Sequence, residues 1–304
     1  MASPKRIFVT GASGFVGREI CRRLLADGHS ITALLRQYKN PPSFLTSNER
    51  VKIHRGDVTN PSSLEGALDG HDAVIHLIGI IREIPERKVT FKRLHLDATD
   101  NMIKAAKKAG IERFIHMSAL GASMKAKGGY FESKWLAEEA VRRENLFFTI
   151  FRPSLVYGPS DHFTNMIADM IRRFRAFPLI DGGINRLQPA PVEYVAAGFS
   201  MCIDMAKTIG RIYEVGGIEQ LQFRQIVMEI ASAISVKAYT PTVSVNLAMP
   251  IVKRFERYKW FPITSNQLDM LLMDNITQSR MYQDDFVICP LDFKAGIRKY
   301  LKHK

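Results

Sequence analysis

The chain is short of cysteine, of acid and of long apolar runs, and each shortage excludes something. Its three cysteines, Cys21, Cys202 and Cys289, are scattered over 304 residues. That spacing excludes a thiolate metal centre, and an odd, sparse set reads as buried thiols in a reducing compartment. No apolar run approaches the roughly 20 residues that a helix needs to cross a bilayer. Met1–Arg6 leads almost at once into an apolar strand and leaves no room for a secretion signal, so the expected location is cytoplasmic. Internal repeats and low-complexity segments are missing. Acidic residues number 30 against 43 basic ones, a net charge of +13, which favours an anionic partner: a phosphorylated small molecule, an acidic protein or a membrane surface. The basic residues cluster mildly at 82–93, 172–175, 253–259 and 298–304. No run interleaves them with base-stacking aromatics, so nucleic acid is not an expected partner.

With 46% hydrophobic and 24% charged residues the composition is that of a globular protein, long enough for one large α/β domain or a domain with a lobe. Short apolar runs at Arg6–Thr10, Ile31–Leu35, Val51–His54, Ala73–Ile78, Arg113–Met117 and Phe147–Phe151 read as strands. Helical spacing appears at Phe15–Asp27, Ser62–Leu68, Phe91–Ala109 and Phe131–Glu144. Near-continuous apolar strands alternating with helices predict an α/β fold, a doubly wound parallel sheet covered on both faces. Beyond Pro153 the pattern loosens. Helices are expected at Phe163–Phe177, Glu193–Ile209 and Phe223–Ile234, with a strand at Ile212–Val215. The expected division is a sheet domain over 1–155 and a smaller α/β substrate lobe over 156–304, parts of which return to the main sheet.

The first strand runs into Thr10-Gly11-Ala12-Ser13-Gly14-Phe15-Val16-Gly17, and a helix opens there. Each glycine has its own reason: Gly11 permits the tight turn, Gly14 lets backbone approach a pyrophosphate, and Gly17 lets helix pack closely on strand. The free N–H groups at the helix start, Ser13 to Gly17, then face the phosphates. This strand–turn–helix context predicts a Rossmann dinucleotide site. Nineteen residues after Gly17 stands Arg36, where an NAD-specific site carries an acid for the ribose 2′-OH. A guanidinium suits a 2′-phosphate, so NADP(H) is expected over NAD(H). At the end of the fourth apolar run, Leu77 and Gly79 are expected beside the cofactor, the glycine letting the chain pass close.

Tyr130 and Lys134, four apart on an expected helix, share one face. Ser118 ends the fifth strand. A phenol near its reference pKa of about 10 supplies little phenolate at neutral pH, and a nearby ammonium is expected to lower it. The tyrosine would then be able to give or take a proton.

The motifs TGASGFVG, RGDV, VIHLIG, YFESK and RPSLVYGP resemble those of the extended and atypical short-chain dehydrogenases/reductases. The chain is closer still to the group that includes the nucleotide-binding accessory subunit of respiratory complex I and its free-standing bacterial relatives, through Val74–Glu83, Arg113–Ala122 and Phe261–Asn275. The resemblance implies that Asp57 and Val58 hold the adenine, that Lys134 also holds the nicotinamide ribose, and that Pro153, Ser154 and Leu155 line the nicotinamide. It implies catalysis by Ser118, Tyr130 and Lys134 on an unidentified small-molecule substrate. Two other readings stay open: a non-catalytic nucleotide-binding assembly protein, and a nucleotide-sugar epimerase or dehydratase, for which Arg186 would meet an anionic substrate group. One departure stands out. Where extended enzymes carry an asparagine of the proton relay, this chain has His95, which is either a polar substitute or a satisfied buried histidine.

Three smaller expectations follow from the residues alone. Asp161 reads as a helix cap. Gly121–Gly129, with three glycines, leads into Tyr130. Ile251, Phe255 and Tyr258 follow helical spacing among Lys253, Arg254, Arg257 and Lys259, so Ile251–Phe261 reads either as a lobe helix with a solvated basic face or as a peripheral membrane contact. A second copy of the chain is also an allowed partner.

Overall fold

The computed structural model describes residues 3–36, 40–126, 129–258 and 260–302. The chain forms two compact units. The first comprises Met1–Pro153, Glu193–Glu214 and Arg280–Ile288; the second comprises Ser154–Val192, Val215–Ser279 and Cys289–Lys304.

The six expected strands form as β1 (Arg6–Thr10), β2 (Ser30–Leu35), β3 (Val51–Arg55), β4 (Ala73–His76), β5 (Arg113–Met117) and β6 (Phe147–Pro153). With β7 (Arg211–Val215) they make one sheet, in the order β7-β6-β5-β4-β1-β2-β3. The pairings among β1 to β6 are parallel, with Thr10 beside His76, His76 beside His116 and His116 beside Ile150. The order reverses beside β1, and in such sheets ligands bind outside the carboxyl ends of the strands at that switch point. Ile7, Phe8, Val9, Val74, Ile75, Phe114 and Ile115 are fully buried, as a sheet covered on both faces requires. Helices α1 (Phe15–Ala26), α2 (Ala98–Lys108) and α3 (Gly129–Arg143) supply cover through Ile20 and Leu24, Met102 and Ala106, and Ala137 and Val141.

Three helical expectations are corrected. Ser62–Leu68 is only a 3-10 turn over Pro61–Leu64, and Gly66 (φ 67°) and Gly70 (φ 72°) follow in the left-handed region. The expected helix Phe91–Ala109 starts as a π-turn at Lys92–Asp97 before α2 begins. Glu193–Ile209 stops at Met201, because the Cys202 carbonyl accepts from Arg113 Nη2 at 2.5 Å instead of continuing the helix. Arg113, almost buried, also donates to Thr149 Oγ1 (2.8 Å) and Thr208 Oγ1 (3.0 Å), tying β5 to this returning segment. An aromatic cluster anchors the return: the Phe151 ring lies 4.3 Å from Phe199, 5.6 Å from Tyr213 and 5.9 Å from Phe286.

In the second unit α4 (His162–Phe174), α5 (Phe223–Ala233) and α8 (Phe293–Leu301) enclose a core that includes Ile167, Ile171, Ile226, Ile230 and Ile297. Asp161 caps α4, accepting from the Thr164 N–H at 2.6 Å. Between these helices in sequence, α6 (Val245–Phe255) and α7 (Ser265–Leu271) share a small core of Ala248, Val252 and Leu268. Cys21 and Cys202 are buried, their thiols pushed up to about 12, whereas Cys289 is exposed and corrects the expectation of three buried thiols.

One buried ion pair joins α3 to β6. Arg152 forks onto Glu138, Nε to Oε1 at 2.8 Å and Nη2 to Oε2 at 2.5 Å, with Glu138 fully buried. Removing one partner strands a charge in a medium that cannot solvate it, at a cost of roughly 3–5 kcal/mol. Arg152→Met should therefore lower urea stability by about that amount, and adding Glu138→Gln should restore part of it. Equal losses in the single and double variants would show that the pair is not coupled.

Candidate cofactor and catalytic site

Gly11 sits at φ 75°, and its carbonyl accepts from the Gly14 N–H at 2.9 Å. A Cβ at Gly17 would lie 2.1 Å from that carbonyl oxygen, so only glycine lets α1 approach so closely. Gly14 is the N-cap of α1 and has no side chain to satisfy the first turn, which carries no acid. The positive end of the helix is thus available to an anion.

A cavity of about 420 Å³ opens at this turn. Gly11, Ser13, Gly14, Arg36, Asp57, Val58, Leu77 and Gly79, all expected from the sequence, line it. Phe15, Val16 and Gly17 form the first turn of α1 and are not among its lining residues. Asp57 Oδ1 accepts from the Thr59 N–H (2.9 Å) and hydroxyl (2.8 Å), which fixes the turn after β3. Sequence reasoning missed Arg87, Lys88 and Arg93, which line the same cavity. Lys88 ends a 3-10 turn in the left-handed region (φ 56°), in a loop closed by a bridge between Ile84 and Val89. Arg93 Nη2 donates to Thr59 Oγ1 at 2.9 Å. The available signal was the basic cluster 82–93, which composition alone assigns to solvated surface. The four cations Arg36, Arg87, Lys88 and Arg93 face a single carboxylate, Asp57.

Lys134 is buried, and its Nζ donates to the Met117 carbonyl at 2.9 Å. A Cβ at residue 79 would lie 3.1 Å from Nζ, so Gly79 makes room for the lysine as well as lining the cavity. Burial pushes the ammonium down to about 8, and the Glu138 charge opposes this. Ser118 is 1% exposed and its N–H donates to the Phe151 carbonyl at 2.7 Å; its Oγ has no protein partner. Tyr130 stands edge-on to His95 (5.6 Å), Phe91 (6.0 Å) and Phe131 (5.4 Å). Burial among these rings pushes its phenol up to about 12, which corrects the expected lowering by Lys134. Of the glycine-rich connection to Tyr130, Lys127 and Gly128 lie outside the described residues.

His95 resolves as a satisfied histidine that also touches α3. Its Nε2 accepts from the Ile80 N–H at 3.0 Å, which leaves Nδ1 as donor to Ser133 Oγ at 2.7 Å. Ser133 donates in turn to the Tyr130 carbonyl at 2.7 Å. Burial and then the Lys134 charge hold the ring neutral, at about 2. With both nitrogens engaged, His95 braces α3. Beneath it, Thr10 Oγ1 lies 2.8 Å from His76 Nδ1, and the His76 and His116 rings stack at 5.6 Å.

Four expected residues lie in the second unit or at its boundary: Pro153, Ser154, whose Oγ donates to the Asn275 carbonyl at 2.8 Å, Leu155 and Arg186. Pro153 ends the first unit, its carbonyl accepting from the Leu120 N–H at 2.9 Å. Leu155 belongs to the second unit and packs partly buried against that unit's core. Arg186, expected to meet an anionic substrate group, instead forks onto Asp274, with Nε and Nη2 at 3.1 and 2.8 Å.

The lysine makes a pH prediction. Its folded pKa of about 8 lies below the ordinary 10.5, so between those values the unfolded chain binds more protons and stability rises with pH. Below pH 8 the buried ammonium costs the ligand-free fold about 3 kcal/mol. Lys134→Met should be the more stable protein at pH 7, and its advantage in urea denaturation should shrink as pH climbs from 8 towards 10.5. A constant gap across that window would refute the assignment.

A family model described as NAD(P)H-binding matches residues 11–165. The NADH dehydrogenase [ubiquinone] 1 alpha subcomplex subunit 9 of Arabidopsis thaliana is 30% identical over 214 residues, 69% of this chain and 53% of that one. Ceramide reductase of Caulobacter vibrioides is 31% identical over 191 residues, 63% of this chain and 58% of that one. The chain thus spans a little over half the length of these curated relatives. Thermus thermophilus UDP-glucose 4-epimerase, solved with NAD, superposes with a TM-score of 0.74 at 18% identity over 98% of both chains, a likeness of fold. The glycine turn that opens the matched region is the one that brings α1 onto β1 at the mouth of the cavity, and the chain belongs to the NAD(P)H-binding Rossmann family.

Proposed function

We propose that the protein is an NADP(H)-dependent oxidoreductase in which Tyr130 gives or takes the proton, Lys134 tunes it and Ser118 holds the substrate oxygen. The observation that carries the reading is the buried, unpartnered Ser118 hydroxyl at the carboxyl end of the sheet. A buried hydroxyl left unpaired costs about 1–3 kcal/mol, which a substrate carbonyl or hydroxyl offsets. When bound, the cofactor supplies or accepts the hydride. Lys134, whose Nζ lies beside Gly79 of the cofactor cavity, would meet the ribose and carry positive charge towards the phenol. Tyr130 comes down from its raised value when a positive charge or a hydrogen-bond donor reaches its oxygen.

Charge supports NADP(H) over NAD(H). Four cations and one carboxylate line the cavity, and a 2′-phosphate adds close to two negative charges to those of the pyrophosphate. Arg36 lies at the end of β2, where the ribose is read, and Arg87, Lys88 and Arg93 form a second bank.

A second reading has its own observation. A chain that keeps its nucleotide without turnover would use the same glycine turn and cation-lined cavity. The Arabidopsis relative is named as a respiratory-complex subunit and the Caulobacter relative as a reductase.

Binding titrations should give a lower Kd for NADPH than for NADH. Arg36→Ala and the pair Arg87→Ala/Lys88→Ala should each weaken NADPH by roughly tenfold or more while sparing NADH, since a charge-assisted contact is worth about 1.5–3 kcal/mol. Tighter NADH binding would overturn the cofactor assignment. Against carbonyl, quinone and sugar-nucleotide panels, Tyr130→Phe should cut turnover by about 10²-fold or more with NADPH affinity unchanged. Turnover that survives the change removes Tyr130 as the acid, and no turnover in wild type with stoichiometric nucleotide retained favours the second reading.

A further inference from the structure

The second unit carries an exposed apolar face that the cofactor chemistry does not use. Helix α6 turns Ala248 and Val252 inward onto Leu268. Its other face and the turn after it expose Leu247 (68%), Ile251 (53%), Phe255 (37%), Tyr258 (39%) and Trp260 (70%). Leu247, Ile251 and Phe255 are four apart, so they stack along one stripe of the helix. The stripe ends in a preformed aromatic group: Phe255 stacks on Phe261 at 5.9 Å and lies 6.2 Å from Trp260, which stacks on Tyr258 at 6.1 Å. Large apolar side chains grouped on a surface in this way mark a contact site.

The charge around the stripe has one sign. Lys253, Arg254 and Arg257 are exposed, and the Arg257 guanidinium lies 4.9 Å above the Tyr258 ring. Glu256, the single acid between residues 245 and 260, has its carboxylate on α7, accepting from the Ser265 N–H at 2.6 Å. An apolar stripe, an aromatic end with polar tips and flanking cations match the boundary of an anionic bilayer, where Trp and Tyr sit at headgroup depth and basic side chains reach phosphates. A second copy is the poorer occupant, because a two-fold contact would set these cations against their own copies. Among the described residues no helix is long and apolar enough to cross a membrane, so the contact is peripheral.

We propose that the exposed face of α6 and the turn after it, from Leu247 to Trp260, is a peripheral docking surface for anionic lipid, with the apolar stripe entering the headgroup region and Lys253, Arg254 and Arg257 meeting lipid phosphates. The surface stands independently of the proposed redox chemistry.

Sedimentation of the full chain with vesicles tests it. The protein should pellet with phosphatidylcholine vesicles containing about 30% phosphatidylserine, pellet far less with phosphatidylcholine alone, and release as salt rises. Lys253→Glu/Arg254→Glu should weaken binding by at least about tenfold, and Ile251→Asp should do the same, with circular dichroism and urea midpoints near those of wild type. The chain has two tryptophans, so Trp135→Phe leaves Trp260 as the sole reporter, and its emission should shift to the blue on anionic vesicles. Absent or salt-insensitive binding, or equal binding to neutral vesicles, overturns the proposal. So does concentration-dependent dimerisation in ultracentrifugation that Ile251→Asp abolishes, which would assign the face to a second copy.

Discussion

The arrangement of the first unit hangs on one close approach, that of Gly17 to the carbonyl of Gly11. A Cβ on Gly17 would come within 2.1 Å of that oxygen, so any other residue would push α1 away from the end of β1. Because α1 stays close, its uncapped first turn opens at the cavity, at the point where the sheet order reverses. The phosphate site is therefore a consequence of backbone packing, and needs no side chain of its own. Gly11 shows the same economy: in its left-handed turn a Cβ would lie 3.1 Å from the Leu77 Cβ, in the segment that runs from β4 to Gly79.

From Gly79 the constraint passes to charge. Lys134 occupies the room that residue 79 leaves, in an interior that also holds His76, His95 and His116. Four ionisable groups share this space, and only one of them is positive at neutral pH. Burial is the main cause that holds all three imidazoles neutral, and the lysine's own charge adds to it. A second cation there would be repelled at short range in a poorly solvated interior. Two of the histidines are tied into the fold: His95 spends both nitrogens on bracing Tyr130's helix, and His76 takes the Thr10 hydroxyl. The π-turn at Lys92–Asp97 places His95 in that brace, an instance of a π-bulge lying at a functional site.

Most of this sheet is written in local pattern. Continuous apolar runs gave the strands to within a few residues, and the three glycines gave the turn, since each is demanded by backbone geometry next to it in sequence. What was illegible depends on distant parts of the chain. The π-turn at 92–97 cannot be seen in a spacing of four, because the extra residue per turn shifts the pattern by less than a helical window resolves. Arg113, at the start of β5, gives no sign that it will end a helix some ninety residues later at Cys202. The raised phenol of Tyr130 had the same origin: Tyr-x-x-x-Lys places two side chains on one face, but the rings of Phe91 and His95 come from elsewhere and, with the neighbouring Phe131, bury the phenol.

The excess of positive charge is where composition misled most. A net +13 looks like one property of a solvated surface, yet the arginines divide by what surrounds them. Arg113 and Arg152 are structural, each giving several donors to buried acceptors that no lysine could reach in the same planar fork. Arg186 is neutralised by Asp274. Arg36, Arg87 and Arg93 line the cavity beside a single carboxylate, and Arg254 and Arg257 lie on an exposed face whose one acid is turned elsewhere. Ion pairing therefore engages Glu138 in the interior and Asp274 at the surface, while the cations lining the cavity and the exposed face of α6 stand beside few carboxylates.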